Sequence, residues 1–239
     1  MYSILLDSKS SIWYQPALEL YGEAFPPEET FPVEDYEVLI RQDKAFVHVF
    51  LDSIENVSRT MAERNLVRGT GTEDPQEIAG TLKYADPDSG QVMTGVVIGV
   101  KNEKYILLLF LAVNDSIRGM GIGSAILGSL SAMYPEHVIS LQIETLRFPA
   151  ENMDQRVRRE RFYLKNGYHH APMTSDEPGG LFDYMFTNGD MTFQEMDSFT
   201  REVMSEYLEK WGVNLVKIDA YMDPEEELAR TAHAMAESI

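Results

Sequence analysis

No cysteine occurs among the 239 residues, which excludes disulfides, thiolate metal sites and an acyl-enzyme built on sulfur. The five histidines are scattered, and even the His169-His170 pair lacks the spacing of a metal-binding set, so no metal is expected. A Gly-Lys-Ser/Thr sequence is missing, which removes the nucleotide P-loop. Nowhere does apolar sequence approach the roughly 18 consecutive residues of a bilayer span. The longest such run, Tyr105 to Val113, suits a buried strand. The opening MYSILLDSKS has neither a basic start nor a long apolar stretch before a small-residue cleavage site, so a cytoplasmic location is the expectation. Basic residues are scarce too: 20 Lys and Arg stand against 39 Asp and Glu, for a formal net charge of -19. Such a charge repels nucleic acid and anionic membranes, so neither is expected as a partner. It suits a cationic substrate, and equally it keeps a chain soluble.

What is present describes an ordinary globular chain, 44% hydrophobic and 25% charged, long enough for one sizeable core. A helix is predicted from Trp13 to Phe25, stopped by Pro26-Pro27. Alternation in AFVHVFL, Ala45 to Leu51, predicts the first sheet strand, and Ser53 to Asn65 reads as a helix. The polar stretch from Leu66 to Pro75 reads as a flexible connection or lid. Further strands are predicted at Ala79 to Tyr84, Val92 to Val100 and Tyr105 to Val113, with links short enough for antiparallel neighbours. A glycine-rich turn, a helix from Ile122 to Tyr134, a strand from Val138 to Leu146 and a helix from Met153 to Asn166 follow. Tyr168 to His170 and Leu181 to Thr187 read as closing strands joined by the loop APMTSDEPGG.

These elements predict an α/β fold, a mixed and mainly antiparallel sheet flanked by helices, with a main domain over residues 1–189 and a mainly helical extension over 190–239. In the extension Phe193, Met196, Phe199, Val203, Tyr207 and Trp211 recur at helical spacing, so one apolar face needs a partner. Packing on the core, covering the active site and forming a homodimer all satisfy it. A possible strand at Val213 to Ile218 and a last helix opened by Asp223 and Pro224 complete the chain. Twelve acids against four bases make this extension disproportionately acidic.

The most informative segment runs from Leu109 to Leu130, where a buried strand leads into Arg118-Gly119-Met120-Gly121-Ile122-Gly123 and then a helix. Alternate glycines let the backbone approach a ligand and take positive φ where required. A helix N-terminus adds unpaired N–H groups and the positive end of the dipole, so the arrangement can receive phosphate. A tight turn alone would not require three alternating glycines after an arginine. A dinucleotide fingerprint would require glycine where Ser124 stands and a parallel unit early in the chain.

Arg118 to Gly123 resembles the Arg/Gln-x-x-Gly-x-Gly/Ala signature of the GNAT superfamily of N-acetyltransferases, bacterial members especially. RERFYLKNGY, Arg159 to Tyr168, resembles the family's second motif, and ELYGEAFPPEE, Glu19 to Glu29, is similar to the first helix and loop of many members. The resemblance spans roughly Tyr14 to Asn188. It implies an enzyme that moves an acetyl group from acetyl-coenzyme A directly to a primary amine of a small molecule or peptide, with no metal. Amides of Gly119, Met120, Gly121, Ile122, Gly123 and Ser124 would hold the pyrophosphate, with Arg118 and Asn152 as side-chain contacts. Backbone amides of Ala112 or Val113 would bind the pantetheine arm and polarise the thioester carbonyl.

Acetyl transfer needs a deprotonated amine, a stabilised oxyanion and a proton for the departing thiolate. Glu144 stands where the family often places its base, and it reads equally as a strand-end glutamate in an ion pair; some members use ordered water instead. Tyr163 is implied as the proton donor to the thiolate, or else as a packing tyrosine. Six bases and three acids between Arg147 and Lys165 form a basic island, able to meet phosphates or to form local ion pairs. A non-catalytic acyl-coenzyme A binding or sensing module, and a protein-interaction scaffold, are the other readings.

Overall fold

The computed structural model describes residues 1–6, 9–25, 27, 30–64 and 74–218. The chain forms two compact units, residues 1–135 and residues from Glu136 onward. Pro26, Glu28 and Glu29 of the FPPEE loop, the connection over 65–73 and the helix expected at Asp223 lie outside the described residues.

In the first unit the chain runs through β1 (Tyr2–Leu5), α1 (Tyr14–Ala24), α2 (Val33–Arg41), β2 (Ala45–Ser53), α3 (Ile54–Glu63), α4 (Pro75–Ala79), β3 (Ala85–Asp86), β4 (Gln91–Lys101), β5 (Tyr105–Val113) and α5 (Ile122–Met133). The strands lie in the order β1-β2-β4-β5, with β3 on β4, and all these pairings are antiparallel. Val92 to Val100 is buried without interruption, the mark of a central strand covered on both faces. Two irregularities shape the sheet. Thr94 is the extra residue opposite Phe50/Leu51 and sends its Oγ1 to the Phe50 carbonyl at 3.0 Å; Leu109 is the extra residue opposite Ile98/Gly99.

Local signals account for the helix starts. Ser53 caps α3 by accepting from the Asn56 N–H at 3.1 Å, and Asp74 caps α4 at Gln76 with Pro75 in the first turn. Three expectations change. β1 precedes the strand read as the first, the residues read as a strand at Ala79 to Tyr84 end α4 and lead to the two-residue β3, and α3 closes at Glu63. Pro75 and the Asp74 cap override the weak alternation that suggested a strand there.

The second unit contains β6 (Val138–Glu144), α6 (Met153–Lys165), β7 (His169–Glu177), β8 (Gly180–Thr187), α7 (Phe193–Leu208) and β9 (Asn214–Lys217), with the strand order β6-β8-β7-β9. Its pairings are antiparallel as well. Most of the stretch read as a loop, APMTSDEPGG, is strand: β7 runs to Glu177 and only Pro178-Gly179 turn. Pro172 is accommodated at an irregularity between His170 and Thr174, where the ladder to β8 slips. Residues 191–218 join this unit through β9 on β7 and through α7, which starts with a complete Thr192/Glu195 capping box. Met196, Phe199, Val203, Tyr207 and Trp211 are buried.

Candidate active site

The predicted coenzyme loop lies in the first unit. β5 delivers Ala112, buried, and Val113, half-buried, to Asn114, and the chain then turns through Asp115–Ile117 into the glycines. Asn114 fixes this exit. It is fully buried, its Nδ2 donates to the carbonyls of Lys83 at 2.8 Å and Met93 at 2.9 Å, and its Oδ1 accepts from the N–H and Oγ of Ser116. The Asn-Asp-Ser sequence after a strand is a legible Asx-turn signal, yet its long-range bonds to Lys83 and Met93 are not.

Gly119 and Gly121 take φ of 92° and 80°, so both positions require the freedom of glycine. Gly121 is the N-cap of α5, with no side chain capping the helix, and a Cβ there would meet nothing within 4 Å. The first turn of α5 therefore presents backbone N–H groups without an internal cap. Arg118 is exposed and forms no ion pair among the described residues. Arg64, at the end of α3, donates to the Met120 carbonyl at 3.3 Å. Ile122 faces inward, whereas Gly123 and Ser124 are half-buried in the first turn. Gly95 of β4 sets how close α5 lies to the sheet: a Cβ on it would sit 2.6 Å from Ile126 Cδ1 and 2.7 Å from the Ala112 carbonyl oxygen.

Glu144, Asn152 and Tyr163 fall in the second unit, where the first two meet. Glu144 ends β6 almost buried, and its Oε1 accepts from Asn152 Nδ2 at 2.9 Å and faces Arg156 Nε at 3.1 Å. Its Oε2 pairs with Arg159 at 2.5 Å. The ion-paired reading of this glutamate is thus realised, by part of the basic island. The single Nε–H of Arg156 goes to Asn152, so each oxygen of Glu144 accepts one hydrogen bond and keeps one accepting site. Asn152, expected at the coenzyme, is engaged at both ends within this cluster, since its Oδ1 accepts from Arg156 Nε at 2.8 Å.

Tyr163 lies one helical turn beyond Arg159 on α6, half-buried, with its ring 5.1 Å from Phe162 and 5.7 Å from Tyr168. Burial pushes its phenol above the ordinary value, with Arg159 opposing. Such a hydroxyl keeps its proton at neutral pH and can donate it. A second charged pair, Arg147 with the fully buried Asp183 at 2.7 Å, ties the end of β6 to β8, and Thr174 of β7 donates to the same oxygen at 2.8 Å. Sequence reading missed this pair because nothing local marks a buried aspartate. No group of three His, Cys, Asp or Glu is placed to hold a metal, and no helix is long and apolar enough to cross a membrane, among the described residues.

Known proteins resemble this chain in structure. A protein assigned to the GNAT acetyltransferases, from Bacteroides thetaiotaomicron, superposes with a TM-score of 0.55 over 90% of this chain and 100% of its own, at 16% identity. An aminoglycoside 6′-N-acetyltransferase complexed with coenzyme A gives 0.48 at 15% identity, over 80% of this chain and 99% of its own. The aminoglycoside 6′-N-acetyltransferase from Enterococcus faecium gives 0.46 at 13% identity, over 80% and 99%. No protein-family model matches the chain, and no curated protein matches it. The chain has the GNAT fold, with a mostly antiparallel open sheet flanked by helices. At these identities the likeness concerns the fold.

Proposed function

We propose that the chain is an acetyl-coenzyme A-dependent N-acetyltransferase acting on an amine of a small molecule or peptide. The observation that carries this reading is the glycine turn: two positive-φ glycines open an uncapped helix, in a GNAT fold, where the family's pyrophosphate signature stands in the sequence. Amides from Gly119 to Ser124 bind the pyrophosphate, and Arg118 supplies an unpaired cation beside them. Amides of Ala112 and Val113 meet the pantetheine arm.

Tyr163 donates its proton to the coenzyme thiolate as the amine displaces it, and the proton shed by the acylated nitrogen, passed through water, restores the phenol. Burial keeps this phenol neutral and Arg159 opposes the rise, which favours release of the proton. Glu144 acts as counter-ion to Arg156 and Arg159, and through Arg159 it governs the charge beside Tyr163. Asn152 then serves this cluster as a positioning residue.

Thiol release from acetyl-coenzyme A in the presence of a panel of amines tests the assignment. Tyr163→Phe should lower kcat about a hundredfold or more while leaving coenzyme affinity unchanged. Unaltered kcat in the variant would remove Tyr163 from the chemistry, and the absence of amine-dependent thiol release in the wild type would favour the non-catalytic binding module.

A further inference from the structure

The glycine turn and Tyr163 account for the coenzyme and its leaving group and leave the acceptor without a partner. On the sheet of the second unit a different cluster spans three strands. Glu177, at the end of β7, is half-buried, and its Oε1 accepts from Ser175 Oγ at 2.5 Å and from Gln142 Nε2 of β6 at 2.5 Å. Gln142 also donates to Ser175 Oγ at 2.6 Å, and Ser175 is fully buried. Tyr184 of β8, opposite Gln142 in the ladder, completes the cluster.

Two features separate this carboxylate from Glu144 and Asp183, and a third, shared with Asp183, leaves it an oxygen for a ligand. Both its anchors are neutral, whereas Glu144 is held by two arginines and Asp183 by one. No cation lies within ion-pair distance of Glu177 among the described residues. The anchors hold one oxygen only, so Oε2 keeps its full accepting capacity. Buried charges are ordinarily paired, because burial strips them of the water that would stabilise them. A carboxylate fixed in orientation, drawn partly out of water and left without a cation is suited to receive one.

We propose that Glu177, oriented by Ser175 and Gln142, docks a second ammonium group of the acceptor, apart from the amine that is acetylated, which makes the acceptor a diamine or longer polyamine. The proposal names the substrate class of the transfer proposed above and rests on that reading. Ammonium supplies the charge-assisted hydrogen bond that Oε2 lacks, and the net charge of -19 favours the approach of any cation.

The same geometry gives a pH signature. Burial raises the Glu177 carboxyl above its ordinary value, with the Ser175 and Gln142 bonds opposing and the Asp176 charge adding to the rise. Tyr184, whose own phenol is pushed up by burial first and by Glu177 second, is the other titratable group acting here. On β9, Asn214 opposite Asp176 is uncharged and Lys217 lies opposite Met173. A raised carboxyl contributes stability below its unfolded value and loses it as pH rises through the folded value. Glu177→Gln should therefore match the wild type in Tm at low pH and exceed it near neutrality, and amine binding should strengthen as pH rises through the Glu177 transition.

The test is an NMR titration of the Glu177 side-chain carboxyl carbon in the full chain with 1,4-diaminobutane, and with uncharged 1,4-butanediol as control, each with and without desulfo-coenzyme A. Diamine should shift the resonance and lower its titration midpoint, diol should do neither, and Glu177→Gln should bind diamine roughly tenfold or more weakly. A resonance indifferent to diamine in both conditions, or a variant that binds as tightly as the wild type, overturns the docking site. Diamine at Glu177 in a chain that binds no coenzyme would uphold the site and remove the acetyl-transfer reading; a silent Glu177 in a chain that binds coenzyme does the reverse.

Discussion

Two glycines of the first unit do opposite work. Gly121 needs its residue type for conformation, with φ at 80° and open space around it. Gly95 needs its residue type for room, because Ile126 and the Ala112 carbonyl fill the place of a side chain. The consequences differ in size. Gly121→Ala should cost about 1 kcal/mol, the conformational penalty alone. Gly95→Ala should cost about 3 kcal/mol, since a backbone oxygen cannot step aside and α5 must lift from the sheet. Urea unfolding of both variants checks this, and equal losses would contradict the account of how α5 is seated. The ion-paired Glu144 shows the limit of residue-level reading: β-strand spacing placed it at a strand end, but which side chains of α6 would reach it depends on packing between elements.

At the scale of elements, the central strands and long helices were legible because their patterns are strong. Tyr105 to Val113 and the helix from Ile122 were read almost as they stand, from an unbroken apolar run and a periodic buried face. β7 was not, because Pro172, Pro178 and two glycines argue for a loop while the pairing to β8 and β9 that makes it a strand is non-local. That misreading concealed Ser175 and Glu177. α7 shows the opposite case, since its spacing gave the helix and its buried face, but not what would cover it. Phe199 is 1% exposed and Trp211 5% within the single chain, so the face read as a dimer candidate is already covered. Phe199→Ala should lose about 3–5 kcal/mol of stability, while Ser198→Asp on the exposed face should change it by less than about 0.5 kcal/mol. A similar, small change at both sites in thermal unfolding would mean that the face is not part of the core.

For the whole molecule, the fold and the phosphate signature point the same way from independent starting points. The signature came from six residues of sequence, and the fold from a superposition over 90% of the chain at 16% identity. The Glu177 cluster was the least legible part, because its side chains come from β6, β7 and β8 and are brought together only by the sheet. The central claim is that the glycine turn binds the pyrophosphate of acetyl-coenzyme A. Calorimetric titration of the purified chain with acetyl-coenzyme A, beside a folded Gly121→Glu variant, tests it most directly. Binding in the micromolar range that the glutamate abolishes is the expected result, and a folded wild-type chain that takes up no coenzyme would contradict the account.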